Sequence, residues 1–257
     1  MEKYLDMEIK KVITEFPRVG TILNEYGIGC VTCSVGTCLL KDIISIHNVP
    51  KNIEVQLMKK MEAALNNQDV PDEIPAPFAG IQAVKEITYS VPIQKLVDEH
   101  KLIKEFLALV PELCEAIEKD VQGSKDIIIR SVDFIRQYAD KFHHSKEEDI
   151  LFAYAKGNED IVNVMLEDHK RGRYYAKSIL LGLEDGDASF ISYSLKHYRE
   201  LLMEHIKKED EILYPWIERS MSTSDIDQLE VEFAKAEVSF EKGFTEKWHA
   251  FVNGLKH

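Results

Sequence analysis

No apolar run in this chain of 257 residues approaches the length a helix needs to cross a bilayer. The first residues, Met1-Glu2-Lys3-Tyr4-Leu5-Asp6, also lack the apolar core of an export signal, so a cytoplasmic protein with no membrane partner is expected. Basic charge is in deficit: 32 Lys and Arg against 45 Asp and Glu leave a net charge of −13. That balance argues against nucleic acid as the main ligand, because phosphates are repelled. Many of the acids alternate with lysine along helical stretches, as on a solvated face. Cysteine is scarce, four in all, and not spread like a disulfide framework. Cys114 stands alone in an apolar helical stretch and is expected to be a small buried side chain. Disorder is excluded over most of the chain by an ordinary hydrophobic fraction of 45%.

What is present is a duplication. His143-His144-Ser145-Lys146-Glu147-Glu148-Asp149-Ile150-Leu151-Phe152 is matched 62 positions later by His205-Ile206-Lys207-Lys208-Glu209-Asp210-Glu211-Ile212-Leu213-Tyr214. Each copy sets a histidine four residues before a glutamate, and on an α-helix such residues share a face. Two helices of this kind facing each other offer two nitrogens and two carboxylates to one centre. That donor set suits iron or manganese better than zinc.

The apolar periodicity gives an all-α organisation. Residues 1–66 form a small helical domain, with Ile9, Val12, Ile13 and Phe16 in one run and Leu39, Leu40, Ile43 and Ile44 in another. Residues 67–91, with Pro71, Pro75 and Pro77, read as a linker. Residues 92–220 carry four long amphipathic helices with short connections, an up-down-up-down bundle. Pro92 sits in the first turn of helix one after Ser90 as a cap, and Pro111 is a kink point. Residues 221–257 are a helical extension in which 224–254 read as one amphipathic helix bearing Ile226, Leu229, Phe233, Val238, Trp248 and Phe251.

Helical phase sorts the histidines. His100 falls between Val97 and Ile103, His169 lies four after Met165, and His205 lies four after Leu201, each on an inner stripe. In helix two, stepping back by fours from His143 gives Ala139 and Ile135, whereas stepping back from His144 gives Asp140, a solvent position. His144 and Glu148 are therefore expected outside or behind the donors, and His197 in packing. Each of the four helices sends a histidine inward, with Glu147 and Glu209 beside two of them. A carboxylate buried in a bundle core costs several kcal/mol, roughly, unless something positive neutralises it. A metal ion would do so. Tyr174, Tyr175 and Tyr198 are candidate pocket residues that phase alone does not place.

The set His100, His143, Glu147, His169, His205 and Glu209, with its Ile-Leu-aromatic runs, resembles the hemerythrin-like (HHE cation-binding) domains over Pro92 to about Ser220. The resemblance implies a four-helix bundle with two non-haem iron ions, oxo- or hydroxo-bridged. Glu147 and Glu209 would span the irons, and the four histidines would be terminal ligands. Oxygen-carrying hemerythrins carry a His-x-x-x-His pair on the third helix and an aspartate five after the last histidine. Here Arg173 follows His169 by four, and Glu209 follows His205 by four. The four-His, two-Glu set is more similar to the iron–sulfur cluster repair (RIC, ScdA/YtfE-like) proteins, and fewer nitrogen ligands favour reaction over reversible storage of O2.

Gly27-Ile28-Gly29-Cys30-Val31-Thr32-Cys33-Ser34-Val35-Gly36-Thr37-Cys38 is a candidate redox block. A Cys-x-x-Cys at a turn can cycle as a disulfide, and three thiols could also hold a cluster or zinc with an outside ligand. The segment from Ile9 to Leu65 resembles the small DUF1858 redox-disulfide domain. Three functions stay open on these grounds. The first is a di-iron redox protein acting on O2, peroxide or NO, or in iron–sulfur repair, with Cys30, Cys33 and Cys38 as thiols serving iron–sulfur or electron-transfer partners. The second is an O2-binding or O2-sensing module without turnover. The third is an iron-binding or storage protein.

Overall fold

In the computed structural model, residues 2–26, 28, 39–46, 49, 51–66, 68, 88–156 and 159–256 are described. They fall into two compact units, Met1–Thr88 and Tyr89–His257. The expected all-α class holds: among the described residues every regular element is helical, and the only strand-like pairing is an isolated bridge between Glu8 and Leu39.

The first unit contains α1 (Ile9–Glu15), α2 (Pro17–Glu25), α3 (Ile43–Ile46) and α4 (Lys51–Leu65). Pro17 opens α2, where its missing N–H costs nothing. Leu57, Met61 and Leu65 form the stripe of α4 and pack with Val12, Val19 and Leu23 in one small core. Cys30, Cys33 and Cys38 lie outside the described residues, as does most of the expected linker.

The second unit starts with α5 (Val91–Ala108) and α6 (Val110–Lys119). Pro111 does more than kink a helix, since it opens the first turn of α6 and so divides helix one in two. Ser90 does not cap α5 with its side chain. Its N–H and hydroxyl instead donate to Glu218 at 3.1 and 2.8 Å, tying the start of this helix to the end of the bundle. Helix two is α7 (Lys125–Phe134) running through a π-helical stretch, Ile135–His144, into α8 (Ser145–Asp149). Helix three is α9 (Glu159–Asp185). Helix four is α10 (Ala188–Lys208), a second π-helical stretch Glu209–Leu213, and α11 (Tyr214–Ser220).

The turn between α9 and α10 is written locally. Gly186 takes φ +68°, which stops α9, and the Asp187 side chain accepts from the Phe190 N–H to start α10. At Gly182 a Cβ would stand 2.8 Å from Ile191 Cγ1, so glycine there allows the two helices to approach.

The expected single helix over 224–254 is two. They are α12 (Thr223–Glu237), opened by a Ser222/Asp225 capping box, and α13 (Phe244–Gly254), preceded by Gly243 at φ +84°. Val238 falls beyond the end of α12 and is 83% exposed rather than part of a stripe. Each extension helix seals one apolar layer. Trp248 and Phe251 of α13 join Phe106, Phe134, Tyr138 and Leu202, while Leu229 and Phe233 of α12 join Leu96, Leu151, Met165 and Leu213. Between these layers, along all four long helices, lies a polar layer. On α5 the order is Leu96, His100, Ile103, and on helix four it is Leu202, His205, Glu209, Leu213.

Candidate metal centre

His100, His143, Glu147, His169, His205 and Glu209 meet in that polar layer, none more than 1% exposed. Glu209 directs Oε2 to within 3.3 Å of His100 Nε2 and Oε1 to within 3.1 Å of His205 Nε2. Glu147 Oε2 lies 3.6 Å from His143 Nε2 and 3.5 Å from His169 Nε2. His169 Nε2 and His205 Nε2 are 3.0 Å apart. Two donor groups result, His100, His143, Glu147 and Glu209 in one and His144, Glu147, His169 and His205 in the other, with Glu147 common to both. All six residues expected from the sequence are thus brought together.

The inward atoms fit a cation. His100 Nε2, His143 Nε2, Glu147 Oε2 and both Glu209 oxygens are buried without a hydrogen-bond partner in the protein. Leaving such groups unpaired costs about 1–3 kcal/mol each, and more when charged, so one or more cations at their focus would relieve that penalty.

The backs of the histidines are held by carboxylates, each next in sequence to a donor. His100 Nδ1 meets Asp210 at 2.7 Å, His143 Nδ1 meets Glu99 at 2.9 Å, and His169 Nδ1 meets Glu148 at 2.6 Å. His205 Nδ1 lies 3.7 Å from Asp168, a looser charge contact. Every one of these carboxylates is in turn paired with a cation: Asp210 with Lys104 at 3.0 Å, Glu148 with Arg173 at 2.6 Å, Asp168 with Lys208 at 2.8 Å, and Glu99 with the buried Lys146. Such backing fixes ring orientation and tautomer and makes the facing nitrogen a better donor. The pattern repeats with a twofold logic. Lys146 and Glu148 flank Glu147 as Lys208 and Asp210 flank Glu209. Glu99 precedes His100 as Asp168 precedes His169, with a cation four residues on in both. Only Glu148 and Asp210 of this outer row of carboxylates lie in the duplicated motif, and an acidic residue beside a donor is easily taken for surface charge.

Of the two positions expected for His144, outside or behind the donors, the outside one does not hold. His144 is 4% exposed, its ring stacks on His169 with centroids 3.9 Å apart and planes 14° apart, and it belongs to one donor group. Stepping by fours fails because Ile135–His144 is π-helical, with the Ser145 N–H bonding back to the Asp140 carbonyl. Stepping back five from His144 reaches Ala139, which is fully buried. The second copy does the same where the Tyr214 N–H bonds to the Glu209 carbonyl. Two of the differences between the copies fall at the centre: Ile206 stands where His144 does, and Phe152 where Tyr214 does. The Tyr214 hydroxyl donates to Glu147 Oε1 at 2.5 Å and its ring stacks on His100, whereas Phe152 only stacks on His169. Of the other candidates, Tyr198 is buried and lines a cavity beside His169, and Tyr174 is exposed. Cys114 is buried as expected.

The metal-free layer is protonated in part. Burial and the neighbouring Glu209 charge push Glu147 well above the usual carboxylate range, while His205 and His100 overcome burial and hold Glu209 well below it. Burial alone would lower His205, but Glu209 and Asp168 bring it up to about 9. His143 is pushed well below its ordinary value by burial and by the charges of His100 and His144. A cation entering the layer competes with the proton that His205 holds and with protonation of the raised Glu147 carboxyl. Apparent metal affinity is therefore expected to rise with pH from 6 to 8.5, by about tenfold per unit for each proton released. Competition with a chelator across that range checks it, and a flat profile would contradict it.

Comparison with known proteins adds a family. Residues 91–217 match the hemerythrin HHE cation binding domain. Uncharacterized proteins of Mycobacterium bovis and Mycobacterium tuberculosis are 22% identical over 162 residues, 60% of this chain and 63% of theirs. The chain thus spans less than two thirds of the length of these relatives. No solved structure matches it. No described helix is long and apolar enough to cross a membrane.

Proposed function

Because residues 91–217 carry a hemerythrin HHE cation-binding domain, we propose that the donor layer holds two non-haem iron ions and that the pair is redox-active toward O2, peroxide or NO. His100 and His143 would hold one ion and His169 and His205 the other, with Glu147 and Glu209 available to both. The observation that carries this reading is the sharing of Glu147 by both donor groups, with the two oxygens of Glu209 turned to histidines of opposite groups. A mixed imidazole and carboxylate set suits iron. When bound, an iron pair supplies two one-electron couples to a small oxidant.

The chain's own residues set the conditions for that chemistry. The apolar layers on either side exclude bulk water, so only small molecules reach the donors. Asp210, Glu99 and Glu148 hold three imidazoles with Nε2 turned inward. Tyr214 fixes one oxygen of Glu147 and leaves the other to the centre. Cys30, Cys33 and Cys38 extend the reading to repair of damaged iron–sulfur clusters, as thiols that pass electrons or accept iron. Their crowding in one chain with the donor layer supports it.

The test is the optical spectrum of iron-loaded, anaerobically reduced protein as O2 is admitted and removed. Irreversible oxidation, recovered only with added electrons, is expected. A fully reversible change would instead favour a carrier or sensor, and no change would remove both readings. In a Cys30→Ser, Cys33→Ser variant, recovery by a dithiol reductant should slow. Unchanged recovery would detach the thiols from the centre.

A further inference from the structure

The carboxylates behind the four histidines do not end alike. Those behind His100, His169 and His205 pair with Lys104, Arg173 and Lys208, whose side chains are 40%, 42% and 12% exposed. Glu99, behind His143, pairs with Lys146, which is 1% exposed and in turn meets Glu237 of α12 at 3.5 Å. We propose that Glu237 is a positioning residue for His143, acting through Lys146 and Glu99, so that the C-terminal extension sets the donor strength of one histidine. This assignment rests on the dinuclear reading above.

Lys146 and Lys208 hold equivalent places in the two copies of the motif. Lys208 keeps part of its side chain in water beside Asp168. Lys146 is covered, with Nζ 4.0 Å from the ring centroid of Phe142 and 5.7 Å from that of Phe233 on α12. The two ring faces offset part of its desolvation. Little water is left to share the charge of a buried ammonium, so most of it falls on the carboxylates it touches, Glu99 and Glu237.

Glu99 divides its two oxygens between these groups. Oε2 lies 2.9 Å from His143 Nδ1, and Oε1 accepts from Lys146. The more of the Lys146 charge that Glu99 must balance, the weaker an acceptor it is for the imidazole. A weaker acceptor at Nδ1 leaves Nε2 a poorer donor to a cation. Glu237 takes a share of that charge and so keeps Glu99 available to His143. It is the last residue of α12, partly exposed, and also pairs with Lys95 of α5 at 3.0 Å. Beside Lys146 and Phe240 it lines a cavity of about 300 Å³, while the core contacts of α12 are made by Leu229 and Phe233. Its charge can therefore be removed without opening the core.

The experiment uses the full chain loaded with iron, with iron per chain measured first. Iron affinity is read by chelator competition and reduction potential by titration with redox dyes. Glu237→Gln should weaken iron binding about tenfold, the lower end of what losing such outer partners costs. Its reduction potential should rise, because less negative charge bears on the donors and the ferric state is the more highly charged. Glu237→Asp, which keeps the charge, should restore most of both values. Lys95→Gln removes the tie of Glu237 to α5 but leaves the Glu237–Lys146 pair, and should not raise the potential. No rise in potential in Glu237→Gln, or an equal rise in Lys95→Gln, overturns the role of Glu237 and leaves the iron centre standing. Fewer than two irons in the natural protein would overturn the dinuclear reading and this assignment with it.

Discussion

On the two-iron reading proposed above, replacing Glu147 with glutamine is expected to cut bound iron from two ions per chain to less than one, while leaving the metal-free fold as stable as before. The two effects separate because Glu147 acts differently in the two states. With metal, it is the residue common to both donor groups, so weakening it injures both positions at once. No histidine substitution should match this, since each histidine serves one position. Without metal, burial and the Glu209 charge push its carboxyl well above the usual carboxylate range and so favour the neutral form. Glutamine reproduces that neutral form in shape and can still accept from the Tyr214 hydroxyl. Metal-free melting should therefore shift by the equivalent of about 1 kcal/mol or less. Metal analysis and calorimetry of both states check the pair of expectations. A variant that keeps two irons per chain would show that Glu147 is not shared.

The convergence of the six expected residues was legible in the sequence because the stripes leading into the layer follow the ordinary α-helical spacing. Leu96 to His100 and Leu201 to His205 are steps of four, and the layer sits where such stripes place it. What escaped notice lies where the backbone leaves that spacing. The wide turns at Ile135–His144 and Glu209–Leu213 bring successive residues to the same face, so His144 came inside although its neighbour four residues back, Asp140, is half-exposed. Backbone hydrogen bonding sets that switch, and side-chain type carries little trace of it. Of the carboxylates behind the histidines only Glu148 was placed there by helical phase; Glu99, Asp168 and Asp210 were missed for another reason, since they resemble surface charge until the helices are assembled. Splitting of the C-terminal helix was in principle readable, because Gly243 supplies the positive φ that precedes α13. The thiol block lies outside the described residues, so its reading still rests on sequence.

Removing the metal should lower the melting temperature of the Tyr89–His257 unit by roughly 15–30 °C. A ligand at a thousand times its dissociation constant stabilises the fold by about 4 kcal/mol, so two sites give about 8 kcal/mol. For a unit of this size each kcal/mol moves the midpoint by about 2–4 °C. Generic ligand binding is not the whole cause. A layer of four histidines and two glutamates, backed by further carboxylates, lies between two apolar layers where water cannot solvate it. Without a cation, protons are the neutralising charge left to it, on Glu147 and His205. They leave Glu209 and the inward imidazole nitrogens poorly satisfied. Chelation should therefore loosen the molecule from the polar layer outward. Amide exchange should rise first in Ile135–His144 and Glu209–Leu213, whose widened backbone turns carry donors, before it rises in α9, which is α-helical throughout. Iron-free protein that melts within about 3 °C of the loaded form would mean that the apolar layers alone hold the bundle. The donor layer would then be a site the fold tolerates rather than one on which it depends.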